Sequence, residues 1–137
     1  MSTTVVSPKF EISHGGAHFF QLRCTIAKKT NKEIYQHYLE LIKAPMFREE
    51  RKAFFTEYNK KIAALDKKYE YKFSSVLDFL YLPDCDGSLS IKQCKDLYEL
   101  IKDDNSEREY GNFGETLSDF AELLKECIRH RRRLKWY

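Results

Sequence analysis

The segment Asp84-Cys85-Asp86-Gly87-Ser88-Leu89-Ser90 sets two carboxylates one residue apart and follows them with a glycine. Acids at that spacing suit two chemistries. They can hold a hard cation through oxygen, or one can attack a phosphoryl group while the other moves a proton. A structural account competes with both. Asp side chains accept hydrogen bonds from the backbone of tight turns, Gly87 can supply a positive φ, and Ser90 with Gln93 has capping-box spacing. Both acids would also face the positive end of the following helix. On this reading the doublet punctuates two helices, and nothing remains for metal or catalysis to explain.

The cation reading rests on a resemblance to the EF-hand loop. With Gly87 at its sixth position, Asp84 falls at three, Asp86 at five, Leu89 at eight and Ser90 at nine. Leu82 then stands where the first acid belongs, and Gln93 where a bidentate Glu belongs. The resemblance implies a metal set of Asp84, Asp86 and Ser90 that binds Ca²⁺ at about millimolar strength or not at all. The phosphoryl reading rests on D-x-D-G-S-L, which resembles the first motif of haloacid-dehalogenase-type phosphatases, and on D-x-D-G-x-x-S, which resembles that of the DHH phosphoesterases. Both need a buried strand before the motif and further motifs after it. Here the preceding run has helical spacing and ends at Pro83, and Asp103-Asp104 is the only later acidic pair. No catalytic residue is assigned, and no cofactor is expected beyond that weak Ca²⁺.

A second cluster lies at Arg129-His130-Arg131-Arg132-Arg133-Leu134-Lys135-Trp136-Tyr137. Arg129, Arg131, Arg132, Arg133 and Lys135 beside Trp136 and Tyr137 form a candidate interaction surface, able to clamp phosphates and stack a base. Cations at a helix C-terminus also complement its dipole, and Trp136 suits a core. Because the rest of the chain is not basic, tight DNA binding at physiological salt is not expected, and nucleic acid is not the favoured partner. His14 and His18 flank two glycines, and a pairing with Cys24 is too weakly supported for acyl-transfer chemistry.

These residues need elements to position them. Residues 1–7 read as a loose start, with 1–8 weakly ordered. Phe10 and Ile12 alternate with polar neighbours as a short strand. Ala17 to Lys29 fits a helix and also a strand's alternation. Helix is preferred because no turn residue interrupts it, with a hairpin through Gly15-Gly16 as the alternative. Thr30 and Glu33 have capping-box spacing ahead of Ile34, Tyr38, Leu41 and Ile42. Pro45 suits the first turn of a helix of about six turns carrying Phe47, Phe54, Phe55, Tyr58, Ile62 and Leu65. Phe73 to Tyr81 form the next stripe, and Ile91 to Ile101 another. Residues 103–112 read as a surface loop, and Asn112 with Glu115 as the cap of a last helix holding Phe113, Leu117, Phe120, Leu124 and Cys127. Leu134 and Trp136 alternate as a closing strand expected to pair with Phe10–Ser13.

The sum is a mainly α single domain of 137 residues, five or six helices with a minor strand pair. Five Gly and three Pro leave few turns, which argues against an all-β fold. The net charge of +3, from 24 basic and 21 acidic residues, selects no partner class. Four cysteines without C-x-x-C spacing, no signal peptide and no run long enough to span a bilayer point to a reduced cytoplasmic protein without a membrane role.

Gly15-Gly16-Ala17-His18, the Asp84–Ser90 turn with Cys94 after it, and the aromatic basic end together resemble small bacterial or phage-type proteins carrying D-C-D-G-x-[IL]-S-x-x-x-C between two helices. That family has no established activity. The resemblance implies a bacterial or phage cytosolic setting and little more. Ten Phe, nine Tyr and one Trp exceed what a small core absorbs. The expectation is therefore a non-enzymatic module that binds another protein in an accessory, inhibitor or immunity-type role. No small-molecule substrate is implied.

Overall fold

The computed structural model describes residues 2–137. It is mainly α, with a small four-stranded antiparallel sheet. In chain order the elements are β1 (Ser2–Val6), β2 (Glu11–Gly15), α1 (Gly16–Thr30), α2 (Lys32–Leu39), a 3₁₀ turn (Glu40–Lys43), α3 (Arg48–Lys68), α4 (Ser74–Tyr81), β3 (Gly87–Leu89), α5 (Ile91–Ile101), α6 (Leu117–His130) and β4 (Leu134–Trp136). Among the described residues no helix is long and apolar enough to cross a membrane.

The sheet runs β2-β1-β4-β3. Its inner face is set by strict alternation: Thr3 and Val5, Ile12 and His14, Leu89, then Leu134 and Trp136 are buried against the helices. The other face carries Ser2, Thr4, Val6, Glu11, Ser13, Ser88 and Lys135, none of them buried. The expected loose start is corrected here. Met1 lies outside the described residues, but Ser2–Val6 is a central strand, because Thr3 and Val5 both point inward and are buried. The expected pairing of the closing strand with Phe10–Ser13 is corrected with it. β1 sits between them, pairing Val5 with Ile12 on one side and with Trp136 on the other.

Residues 17–29 are helical, within α1. The hairpin turn before it falls at Ser7–Phe10, where the Ser7 hydroxyl and backbone N–H both donate to the Phe10 carbonyl. Three helix starts shift from their expected places. Asn31, one residue past Thr30, caps α2, its Oδ1 accepting from the N–H groups of Glu33 and Ile34 at 2.8 and 3.2 Å. The Glu33 carboxylate instead accepts from Tyr69 at 2.6 Å and pairs with Lys68 at 2.8 Å. α3 begins at Arg48, after Pro45, because Ala44 takes the extended conformation favoured before proline, and Phe47 is extended too. α6 begins at Leu117, with the Asp119 carboxylate accepting from the Thr116 N–H at 2.8 Å. Asn112 stitches its loop to β2, donating through its N–H to the Ser13 carbonyl and accepting the Gly15 N–H at Oδ1. Phe113 therefore stands outside the helix and is 88% exposed.

The Ser90–Gln93 capping box of α5 is present as expected, both halves closed. α2, the 3₁₀ turn and α3 form a helical hairpin, and α3 is its long limb. Of its 21 residues only Tyr58 and Leu65 are buried. The hairpin is rooted in an aromatic cluster. The His37 ring stacks on Tyr58 at 4.0 Å between centroids, and its Nδ1 is 2.8 Å from the Tyr81 hydroxyl. Phe20 stacks on Tyr38 beside it. Leu39 and Leu41 still pack on the core, but no residue between Tyr38 and Tyr58 is buried. This stretch, the turn and the first half of α3, forms an arm with Ile42, Met46 and Phe47 exposed at its turn.

Candidate functional site

The two segments that stand out in the sequence meet in space. β3 pairs with β4 in the register Gly87–Trp136, Ser88–Lys135 and Leu89–Leu134, so the acidic turn lies against the basic end of the chain. The intervening strand is the structural reason, and it also corrects the picture of a bare turn between two helices.

The turn is held from beneath through its backbone. Three consecutive carbonyls each accept from a side chain of a different element. Leu82 accepts from Arg23 Nη2 of α1 at 2.7 Å, Pro83 from Trp136 Nε1 of β4 at 2.8 Å, and Asp84 from Thr3 Oγ1 of β1 at 2.7 Å. All three donors are buried. A buried donor left unpaired costs about 1–3 kcal/mol, so the turn and its supports fix one another. Arg23 has no carboxylate partner among the described residues. Its guanidinium lies 4.5 Å from the Phe19 ring centroid and within 6 Å of Phe79 and Trp136, a cation–π cage that replaces part of its lost hydration. Burial lowers its pKa, though a guanidinium stays charged in protein interiors.

Gly87 is required by contact. Its φ is not in the left-handed region, which overturns the expected role as a positive-φ turn residue. A Cβ at that position would meet the Trp136 indole at 2.1 Å. The Trp136 ring lies on the glycine and shields the carbonyl that its own N–H holds.

Asp84 and Asp86 are exposed, and their carboxylates have no hydrogen-bond or ion-pair partner among the described residues. They therefore do not serve the main chain as expected; side chains from β1, α1 and β4 have taken that task. Ser90 is occupied as the α5 cap, accepting from the Gln93 N–H. Gln93 turns back, its Oε1 accepting the Ser90 N–H and its Nε2 donating to Asp78. Among the described residues no group of three or more His, Cys, Asp or Glu side chains is arranged to hold a metal ion.

The basic end divides into two halves. Arg129 and His130 reach back along α6 to the buried Glu126 carboxylate at 3.3 and 3.2 Å, with Lys9 on it at 3.8 Å. Arg131, Arg132, Arg133 and Lys135 are exposed and ion-paired to nothing among the described residues; Arg133 donates only to the Ser88 hydroxyl, at 3.2 Å. Trp136 is 1% exposed and leaves the candidate interaction surface, while Tyr137 is 63% exposed and remains on it. Two open clefts border this row. One, of about 570 Å³, lies between Arg131, Arg132, Arg133, Lys135 and Tyr137 and the Val6–Pro8 corner. The other, of about 740 Å³, lies across β4 and adds Asp78, Asp86 and Gln93 to Arg133 and Lys135.

Among the described residues His14 and Cys24 share no hydrogen bond. His14 is buried with Nδ1 2.6 Å from the Tyr110 carbonyl, and burial lowers its pKa. Burial raises that of the Cys24 thiol. No protein-family model matches the chain, and no curated protein or solved structure is significantly similar to it.

Proposed function

We propose that the protein is a non-enzymatic binding module that engages another protein through the tip of its helical arm. One observation carries this reading. Ile42, Met46 and Phe47 are 70, 92 and 76% exposed, close in sequence at the turn between α2 and α3. Water-exposed apolar side chains in such a group mark interaction sites more often than isolated ones do. Phe54 and Phe55 continue the patch as half-buried rings, packed edge to face 5.3 Å apart. Lys43, Arg48, Arg51 and Lys52 alternate with Glu40, Glu49 and Glu50 around it. That rim suits a partner whose apolar cleft is edged by both charge signs, with the aromatic anchor supplying affinity and the charges supplying orientation.

An accessory, inhibitor or immunity-type role in a bacterial or phage cytosol fits such a module. The four cysteines are unpaired, as a reducing compartment favours.

The test is capture from a native-host lysate by the full chain, with cross-links mapped by mass spectrometry. Phe47→Asp changes an exposed side chain and should leave the circular dichroism melt in place while abolishing capture. Arg132→Glu should retain it. Equal capture by Phe47→Asp, or cross-links that avoid residues 42–55, would remove the basis for the reading. A dimer in light scattering that Phe47→Asp dissolves would assign the tip to a second copy instead.

A further inference from the structure

The arm leaves the basic end of the chain unexplained. There the chain rises from α6 into β4 through Arg131, which takes a left-handed conformation at φ 52°. That position usually carries glycine, because a Cβ crowds the following carbonyl there. Arginine at such a site is a strained choice, and strain held at a surface position points toward use. Alternation along β4 then sends Leu134 and Trp136 into the core and Arg133, Lys135 and Tyr137 outward. The outward side chains stand on the face of the sheet that no helix covers. The sequence thus builds a run of four cations with an exposed aromatic ring at its end, and among the described residues none of the four is ion-paired to an acid.

We infer that the cleft between this row and the Val6–Pro8 corner is a site for the phosphate backbone of single-stranded nucleic acid. The shape favours a chain over a compact anion. The cleft is open to solvent, whereas small-molecule sites enclose most of their ligand. Arg133 and Lys135, two residues apart along the extended chain end, stand about 6.6–6.8 Å apart, and Arg131 and Arg132 continue the charge back to the end of α6. Tyr137 supplies a ring on which a base can stack without regard to its identity. Duplex is the poorer fit, since the closing strand lies inside a four-stranded sheet and is not a free helix or two-stranded ribbon that could enter a major groove. Asp78 and Asp86 lie across β4 in the neighbouring cleft and repel phosphate from that side, so the strand has one path. With four cations engaged and no base-edge readout, binding is of the sequence-independent class.

Fluorescence anisotropy with labelled oligo-dT and oligo-U of about 15 nucleotides tests this on the full chain. The dissociation constant at physiological salt should fall at about 10⁻⁴ to 10⁻⁶ M, and log K should drop with log salt at a slope of about −3, four phosphates at about −0.7 each. The double variant Arg132→Ala/Lys135→Ala should halve that slope, while Tyr137→Ala should weaken binding about tenfold and leave the slope in place. All three side chains are exposed, so the melts should coincide with wild type. Photo-crosslinking of a bromouridine oligonucleotide supplies a readout independent of any variant, and adducts should map to residues 131–137. Absence of binding at about 50 mM salt overturns the inference. So do a slope unchanged in the double variant, equal affinity for duplex, adducts on the arm, or displacement by poly-glutamate as effective as by unlabelled oligonucleotide. The last would assign the cleft to acidic protein segments. Phe47→Asp leaves this site intact, so failure here and failure of the arm reading are separable.

Discussion

α6 and α3 both carry apolar stripes at helical spacing, yet they do opposite things. α6 has 14 residues and buries seven of them, among them Leu117, Phe120, Leu123, Leu124 and Cys127. α3 has 21 residues and buries two. The difference lies in what stands across from each stripe. α6 packs along α5 and closes the core under the sheet, where Phe120 meets Phe79 with centroids 5.7 Å apart. α3 meets the body from Tyr58 to Lys68, and before Tyr58 it buries no residue, Phe54 and Phe55 staying half-buried. An amphipathic pattern shows that a surface is meant to be covered. It does not say that the cover belongs to the same chain.

The largest expected effect tests that contrast directly. Phe120→Ala removes a fully buried ring and should cost about 3–5 kcal/mol, a large part of an ordinary domain's stability. Phe47→Ala removes a ring of the same size from water and should change stability by less than about 0.5 kcal/mol. Urea unfolding of both variants measures the pair. Comparable losses would mean that the arm is packed into the cooperative core, and the contrast between the helices would fail.

A second expectation separates body from arm by pH. His14 lies under the sheet and His37 at the arm's root, and burial lowers the pKa of each below the ordinary imidazole value. For His37 the Glu40 carboxylate works against that shift and Lys61 works with it. A depressed native pKa means that the unfolded chain takes up protons the folded chain refuses. Stability is then complete above an imidazole's usual value of about 6.5 and is lost as pH falls below it. Native-state hydrogen exchange should show α3 amides losing protection first on acidification, because His37 stacks on Tyr58 and protonation disturbs the arm's main attachment. His37→Phe keeps a ring against Tyr58 and should remove that local pH response while leaving the global one due to His14. Protection of α3 that is indifferent to pH, or stability that rises toward pH 5.5, would break the distinction.

Much of the helical body could be read from the sequence because its cues are local. The Ser90–Gln93 box, the Ile91–Ile101 face and the Leu134–Trp136 alternation each depend on residues within one or two turns, and each is in place. Helix starts were harder to place where neighbouring residues offer equivalent chemistry. Thr30 and Asn31 can both cap, and so can Asn112 and Thr116; contacts with Tyr69 and β2 decide between them. β1 was hidden because Ser2–Val6 has only two inward residues and looks like a polar tail until β2 and β4 flank it. The candidate site divides the same way. The acidic turn and the basic end each stand out in the sequence, but nothing local shows that they adjoin. The supports of the turn come from Thr3, Arg23 and Trp136, each more than fifty positions away, and no local pattern specifies a donor at that separation. Gly87 has the look of a turn glycine, and only the Trp136 ring against it shows that its role is to be small.

The smallest expected effect concerns the junction between the well-packed helix and the cationic row. Arg131 closes α6 in the left-handed conformation, its N–H donating to the Ile128 carbonyl at 3.3 Å, while the Arg132 N–H donates to Cys127 at 3.0 Å. This is how glycine-ended helices satisfy their last carbonyls, but here the Cβ of Arg131 crowds the following carbonyl. Arg131→Gly relieves it and should stabilise the fold by about 1 kcal/mol, offset in part by the greater freedom glycine gives the unfolded chain. A thermal midpoint raised by a few degrees is the measure. The same change should weaken oligonucleotide binding and reduce the salt slope by about one phosphate's share. Opposite signs from one substitution would identify residue 131 as a place where stability yields to the surface it serves. If Arg131→Gly lowers the midpoint, the arginine is held by packing in the helix end, and the junction belongs with α6 and the core.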